Sequence, residues 1–211
     1  VPITQKYRVK RIETLTGFKY IGEQIKWFEQ EHSQEFLFGY EESYGCLEGT
    51  HARDKDAVVA VMALCEAAAY YRDKGISLCE QMEKLFAEYG YFQEDLCTVT
   101  KKGVNGAKEI ADVMERLRAQ TPESLGGFRV LRVRDYRTGK ITVKESGEVL
   151  QTGLPTSNVL YLDLEEDAWC CIRPSGTEPK IKFYAGVKGE SMEDGKMKLE
   201  RLMDAVEKLA E

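Results

Sequence analysis

The densest chemistry in this sequence lies in Arg173-Pro174-Ser175-Gly176-Thr177-Glu178-Pro179, a loop-forming run between an apolar stretch ending at Ile172 and another beginning at Lys180. Every residue type in it suits a bound phosphate. Arg173 carries a planar fork that matches an oxyanion, Ser175 and Thr177 offer hydroxyl donors, and Gly176 lets successive backbone N–H groups turn toward one point. Pro174 and Pro179 stiffen the two ends. The same composition also makes an ordinary Pro/Gly turn.

A second loop, Gly39-Tyr40-Glu41-Glu42-Ser43-Tyr44-Gly45, follows a strand-like segment and precedes a long apolar helix, where α/β sheets place their ligands. Its carboxylates and hydroxyl can bond the vicinal hydroxyls of a sugar; a solvated acidic loop is the plain alternative. Glu41 and Glu42 do not form a glycosidase pair, because neighbours in extended chain point opposite ways. The loop runs on into His51-Ala52-Arg53-Asp54-Lys55-Asp56. Asp54 or Asp56 suits a helix N-cap. Lys55 opposes the helix macrodipole there, which points to a ligand phosphate or a proton-transfer role. Thr16-Gly17-Phe18-Lys19 supplies a further strand-to-helix corner with a hydroxyl, a flexible backbone and a cation. The two histidines, His32 and His51, are too few for the usual His-rich metal clusters, and zinc on Cys46 and His51 is not expected. No metal ligands are assigned.

The elements that must position these loops follow from periodicity. Arg8 to Thr14 reads as a strand, Phe18 to Glu31 as a helix with Ile21, Ile25 and Phe28 at helical spacing, and Phe36 to Gly39 as a short strand. Ala57 to Tyr71 is apolar around most of its circumference, so a buried helix is expected. Ser77 caps another helix ending at Gly90. A strand from Asp95 to Thr100 opens different territory, and the expected domains are residues 1–95 and 96–211. A helix from about Asn105 to Ala119 is followed by strands at Phe128 to Asp135, Lys140 to Val143, Asn158 to Leu164, Ala168 to Ile172 and Lys180 to Val187, and a closing helix from Met192 to Leu209. Tyr136-Arg137-Thr138-Gly139 suits a hairpin turn. The fold class is α/β plus α+β: a partial α/β/α layered domain with a mixed sheet, followed by a domain with an antiparallel sheet.

Composition bounds the function. The 211 residues, 43% apolar and 31% charged, suffice for one large or two small cores. With 36 acidic against 30 basic side chains, a formal charge of -6 and a pI near 5.3, the chain has no general attraction to nucleic acid or anionic lipid. Neither a nucleic acid nor a membrane is an expected partner, because the longest apolar run contains Glu66 and is shorter than the roughly 20 residues of a span. Six cysteines without a CxxC pair read as reduced thiols of a cytoplasmic protein. A chain that begins at Val1 without a signal-peptide profile reads as part of a longer polypeptide.

In this order, TGFK, GYEESYG, the DKD around Lys55 and RPSGTEP resemble the α-D-phosphohexomutase superfamily, the phosphoglucomutases and phosphomannomutases, over essentially the whole chain. The resemblance implies a third domain, truncated at its N-terminus, that binds sugar, and a complete fourth domain, of the TATA-box-binding-protein-like fold, that binds phosphate. On it Glu41 and Ser43 contact sugar hydroxyls, Thr16 and Gly17 line the sugar site, and Arg173, Ser175, Gly176 and Thr177 hold the phosphate remote from the chemistry. Lys55 becomes a candidate for proton transfer. It further implies a phosphorylated hexose as substrate, glucose 1,6-bisphosphate as activator and intermediate, magnesium in the full-length enzyme with ligands outside this chain, and the N-terminal domains of the same polypeptide as partners.

Two features of that family are missing from this sequence: the TASHNP-like loop of the phosphorylated serine and the DGDGDR-like metal loop. The expected function is therefore the recognising C-terminal part of a phosphoglucomutase, inactive alone, that interconverts glucose 1-phosphate and glucose 6-phosphate. GYEES differs from the GEMSG form of phosphomannomutase-type members, which favours glucose; mannose or pentose phosphates are the alternative substrates. A sugar-phosphate-binding module without chemistry is the alternative class.

Overall fold

The computed structural model describes residues 2–41 and 44–210, which fall into two compact units, Val1–Tyr89 and Gly90–Glu211. The division lies before the residue 95 expected from sequence. The strand β3 (Tyr91–Thr100) begins earlier than its apolar content suggests, and all ten of its residues pair with a strand of the second unit.

The first unit contains α1 (Pro2–Lys6), α2 (Phe18–Glu31), an antiparallel hairpin of β1 (Phe38–Tyr40) and β2 (Cys46–Glu48), α3 (Ala57–Asp73) and α4 (Leu78–Tyr89). Phe18, Ile25 and Leu47 form its core, with Ile21, Phe36 and Ala52 packed against them. Ser77 and Glu80 form a reciprocal capping box at α4: the Ser77 N–H donates to Glu80 at 2.7 Å and the Glu80 N–H to the Ser77 hydroxyl at 3.1 Å.

Two expectations for this unit fail. Arg8 to Thr14 is not a strand: Arg8 turns left-handed, with φ 54°, and the residues after it lack a ladder partner among the described residues. Alternating apolar side chains do not make a strand without a neighbour to take its N–H and C=O groups. The helix α3 forms where expected but buries no residue fully, and Val61 and Met62 are 60% and 64% exposed. The short hairpin and α4 cover only part of its circumference.

The second unit is an antiparallel sheet with helices on one face. Its strand order is β3, β10 (Lys180–Gly189), β9 (Trp169–Pro174), β8 (Leu160–Leu164), β5 (Phe128–Asp135), β6 (Lys140–Val143) and β7 (Val149–Gln151), with β4 (Ser124–Leu125) paired to β5. Side chains alternate across such a sheet. One face carries Leu160, Leu162, Ile172, Ile181, Phe183 and Ala185 into the core, where α5 (Gly106–Ala119) contributes Ile110, Met114 and Leu117, and α6 (Met192–Glu207) contributes Leu202 and Val206. Gly126, at φ 57°, closes the turn between β4 and β5 against α6, where a Cβ would stand 2.6 Å from the Leu202 Cα. The hairpin turn at 136–139 forms as expected. Arg118 of α5 pins it through Asp135 at 3.1 Å and Asn158 at 2.6 Å.

The opposite face bears Tyr161 stacked on Trp169, ring centroids 5.6 Å apart, and Arg134 bonded twice to Asp163 at 2.8 and 2.6 Å. Burial pushes the Tyr161 hydroxyl well above its ordinary pKa.

The difference between the cores predicts an asymmetry. Leu162→Ala, which empties a fully buried position, should cost about 2 to 5 kcal/mol in urea unfolding. Val61→Ala on the exposed flank of α3 should change stability by less than about 0.5 kcal/mol. Equal losses would show that α3 is covered in solution.

Candidate functional site

The first unit gathers three of the sequence loops around one lysine. Lys55 follows β2 and precedes α3, and its Nζ lies 3.2 Å from Asp54 Oδ1, 3.5 Å from Glu41 Oε1 and 5.6 Å from the centroid of the buried Phe18 ring. Phe18 begins α2 directly after Thr16 and Gly17, so TGFK, the Glu41 loop and HARDKD meet here. Glu41 reaches the cluster because its N–H donates to the Gly45 carbonyl at 3.0 Å, closing the loop that its side chain leaves. The Glu41 side chain is only 9% exposed, which fits a specific acceptor better than a solvated acid.

Gly45 is needed for that arrangement. The Lys55 stem lies across it, and a Cβ at residue 45 would stand 2.4 Å from the Lys55 Cδ. Gly17 is the N-cap residue of α2 at φ 122°, without a side-chain cap. The Thr16 hydroxyl has no hydrogen-bond partner among the described residues. Ser43 lies outside the described residues. Phe18 belongs to the Thr16-Gly17-Phe18-Lys19 corner, but the sequence assigns it no role there; the structure sets its ring under the Lys55 ammonium.

The electrostatics of Lys55 restrict its chemistry. The hydrogen bond to Asp54 holds its ammonium above the ordinary lysine range, and the Glu41 carboxylate adds to this. In turn the Lys55 amide and ammonium hold Asp54 below the usual carboxylate range. At neutral pH Lys55 is charged, so it can donate a proton or stabilise developing negative charge, but it is not poised as a base.

Of the two candidate caps, Asp56 is the one used. Its Oδ1 accepts from the Val58 N–H at 2.7 Å and the Val59 N–H at 3.4 Å, and its Oδ2 lies 2.9 Å from His51 Nε2. The His51 bond is the largest cause of a lowered Asp56 pKa, followed by the Val58 amide.

The second unit brings Arg173, Ser175, Gly176 and Thr177 into one loop joining β9 to β10. Ser175 organises it: its N–H donates to the Lys180 carbonyl at 2.7 Å, and its Oγ accepts from the Thr177 and Glu178 N–H groups at 3.4 and 3.3 Å. With Oγ acting as acceptor, the Ser175 hydrogen is free to point outward. The fold does not itself demand glycine at 176. Its φ lies outside the left-handed region, and a Cβ there would meet nothing within 4 Å. The space before Gly176 is open to a ligand.

Strand register adds a residue that the sequence reading missed. Arg173 pairs directly with Lys182 across β9 and β10, so both side chains leave the same face, with Cβ atoms about 5 Å apart. Neither cation has an ion-pair or hydrogen-bond partner among the described residues. Like charges directly opposite are unfavourable in a sheet unless an anion lies between them. Lys182 was legible only as one charged position of an alternating strand, since nothing in the sequence fixes which β9 residue it opposes.

Comparison with known proteins finds similarity over most of the chain. Residues 2–89 match the family model described as phosphoglucomutase/phosphomannomutase, alpha/beta/alpha domain III, and belong to that family. Among the chain's relatives, a phosphoglucomutase of Staphylococcus epidermidis is 38% identical over 185 residues, covering 88% of this chain and 33% of the relative. A phosphoglucomutase of Staphylococcus haemolyticus is 33% identical over 191 residues, covering 90% of this chain and 34% of its own. The chain thus spans about a third of the length of the curated relatives it matches. The crystal structure of pp63/parafusin, a phosphoglucomutase from Paramecium, in its open form, shares the fold with a TM-score of 0.63 at 15% identity, covering 99% of this chain and 35% of that one.

The depressed pKa of Asp56 has a signed consequence. Its stabilising bonds are present above the unfolded carboxylate pKa and are lost as pH falls through the lower, folded-state value. Asp56→Ala should therefore melt below the parent at pH 7, with the gap closing on acidification through that value. A gap unchanged down to pH ~2, below the usual carboxylate range, would contradict the cap assignment.

Proposed function

We propose that this chain is the substrate-recognising C-terminal part of a cytoplasmic phosphoglucomutase, which interconverts glucose 1-phosphate and glucose 6-phosphate through a phosphoserine enzyme and a bisphosphorylated intermediate, glucose 1,6-bisphosphate. The observation that carries this reading is the facing pair Arg173 and Lys182, two unpartnered cations beside a loop whose space at Gly176 is open. A dianionic phosphate supplies the missing counter-charge. Arg173 gives it a planar fork, Lys182 a point charge, and Ser175 and Thr177 hydroxyl donors.

In the first unit Glu41 reads sugar hydroxyls as an acceptor, with Ser43 beside it in sequence and Thr16 and Gly17 lining the same corner. Lys55, charged and held against Glu41, donates a proton toward the oxygen that loses its phosphoryl group. An intermediate that must be read in two orientations suits this division, since a phosphate clamp and a hydroxyl-reading loop both tolerate reversal of the sugar.

The described residues hold no group of three His, Cys, Asp or Glu side chains able to bind a metal ion, and the magnesium that the resemblance implies has its ligands outside this chain. The nucleophilic serine and the metal loop would come from the longer polypeptide, in which this chain's partners are its own N-terminal domains.

In that complete enzyme, Arg173→Ala should raise KM for glucose 1-phosphate by roughly 10- to 150-fold, the equivalent of a charge-assisted contact of about 1.5 to 3 kcal/mol. Arg173→Lys should recover only part, because a point charge lacks the fork. A lowered melting temperature with KM unchanged would make Arg173 a structural residue and refute the clamp.

A further inference from the structure

We propose that His51 is a positioning residue for Lys55, acting through Asp56. Asp56 is tied three ways. Its N–H donates to the Cys46 carbonyl of β2 at 2.9 Å, its Oδ1 caps α3, and its Oδ2 meets His51 Nε2 at 2.9 Å. The backbone directly after Lys55 is thereby fixed to the hairpin and to the helix. Lys55 itself has little room to adjust, because its stem fills the space beside Gly45. A small rotation of this turn is passed directly to the ammonium.

The role of His51 follows from what Asp56 would do without it. With Oδ1 held by the cap and Oδ2 unbonded, Oδ2 is left as an open acceptor that competes for the neighbouring Lys55 ammonium. That would draw Nζ from Glu41, whose 3.5 Å contact is already longer than the 3.2 Å contact to Asp54. His51 occupies that oxygen and leaves Glu41 and Asp54 as the acids facing Lys55.

The rest of the loop is anchored independently. The Arg53 guanidinium bonds the Thr50 and Ala52 carbonyls at 2.7 and 3.1 Å and Glu29 of α2 at 2.6 Å. The Arg53 carbonyl presses on Gly22, where a Cβ would stand 2.4 Å away. Loss of the His51 imidazole should therefore change the Asp56 carboxylate and Lys55 while the loop stays in place.

The positioning claim stands on geometry alone; its effect on turnover rests on the reading of Lys55 as a proton donor. Two measurements keep these apart. In the 211-residue chain, the Lys55 ammonium is titrated through its 13Cε resonance, assigned with Lys55→Arg. The parent should titrate above the ordinary lysine range. His51→Ala should move the resonance and its titration, as Asp56 takes the place of Glu41 beside the ammonium, and His51→Gln, whose side-chain N–H can reach Asp56 Oδ2, should restore both. Amide spectra of each variant confirm that it is folded. In the complete enzyme, His51→Ala should lower kcat about tenfold with KM within about twofold, and His51→Gln should recover most of the loss. An unmoved Lys55 titration in folded His51→Ala, or no rescue by His51→Gln, overturns the positioning role. A moved titration with kcat unchanged sustains that role and refutes proton donation by Lys55.

Discussion

The register of β10 is the constraint on which the second unit depends. This strand pairs along all ten residues with β3 and along Ile181–Gly186 with β9. Because side chains alternate, a slip of one residue would turn Ile181, Phe183, Ala185 and Val187 out of the core. Burying those four side chains therefore determines which face Lys182 occupies and which residue it opposes. The cost of holding Arg173 and Lys182 together is met by apolar burial on the other face, and the phosphate proposed above would relieve it. Core packing and the facing of these two cations are two consequences of one alignment.

The first unit reaches its site by different means. It has a small core, and what fixes Lys55 is a chain of polar ties from β2 through Asp56 to α3, with the Phe18 ring beneath the ammonium. Such a site is set by hydrogen-bond geometry, so it should respond to single side-chain changes that barely alter the core. The bare flank of α3 belongs to the same economy of packing: a small hairpin cannot cover a seventeen-residue apolar helix.

What could be read in the sequence follows the reach of the forces involved. The helix α2 and the turn at 136–139 are local, written in helical spacing and in a glycine that accepts positive φ, and both formed as expected. The loops around Glu41, Lys55 and Arg173 stood out as candidates through the donors and acceptors they gather and the family they resemble. The place of Lys182 opposite Arg173, of Phe18 under Lys55 and of His51 on Asp56 could not be read, because each depends on strand register, on packing or on a single side-chain bond. The strand expected over Arg8 to Thr14 failed for the converse reason: its pattern was present but its partner was not. β2 and β7, three residues each, are too short to show a period.

In the function proposed above, the loop from Arg173 to Lys182 holds a phosphate and the Lys55 cluster reads sugar hydroxyls. Its most direct test is a titration of the 15N-labelled chain with glucose 1-phosphate and, separately, with inorganic phosphate. Both ligands should shift the Gly176, Thr177 and Glu178 amides and the Arg173 side chain, while only the sugar phosphate should also shift Glu41, Gly45 and Lys55. Shifts confined to other surfaces, or none up to about 10 mM, a concentration above the weak-binding range, would contradict it.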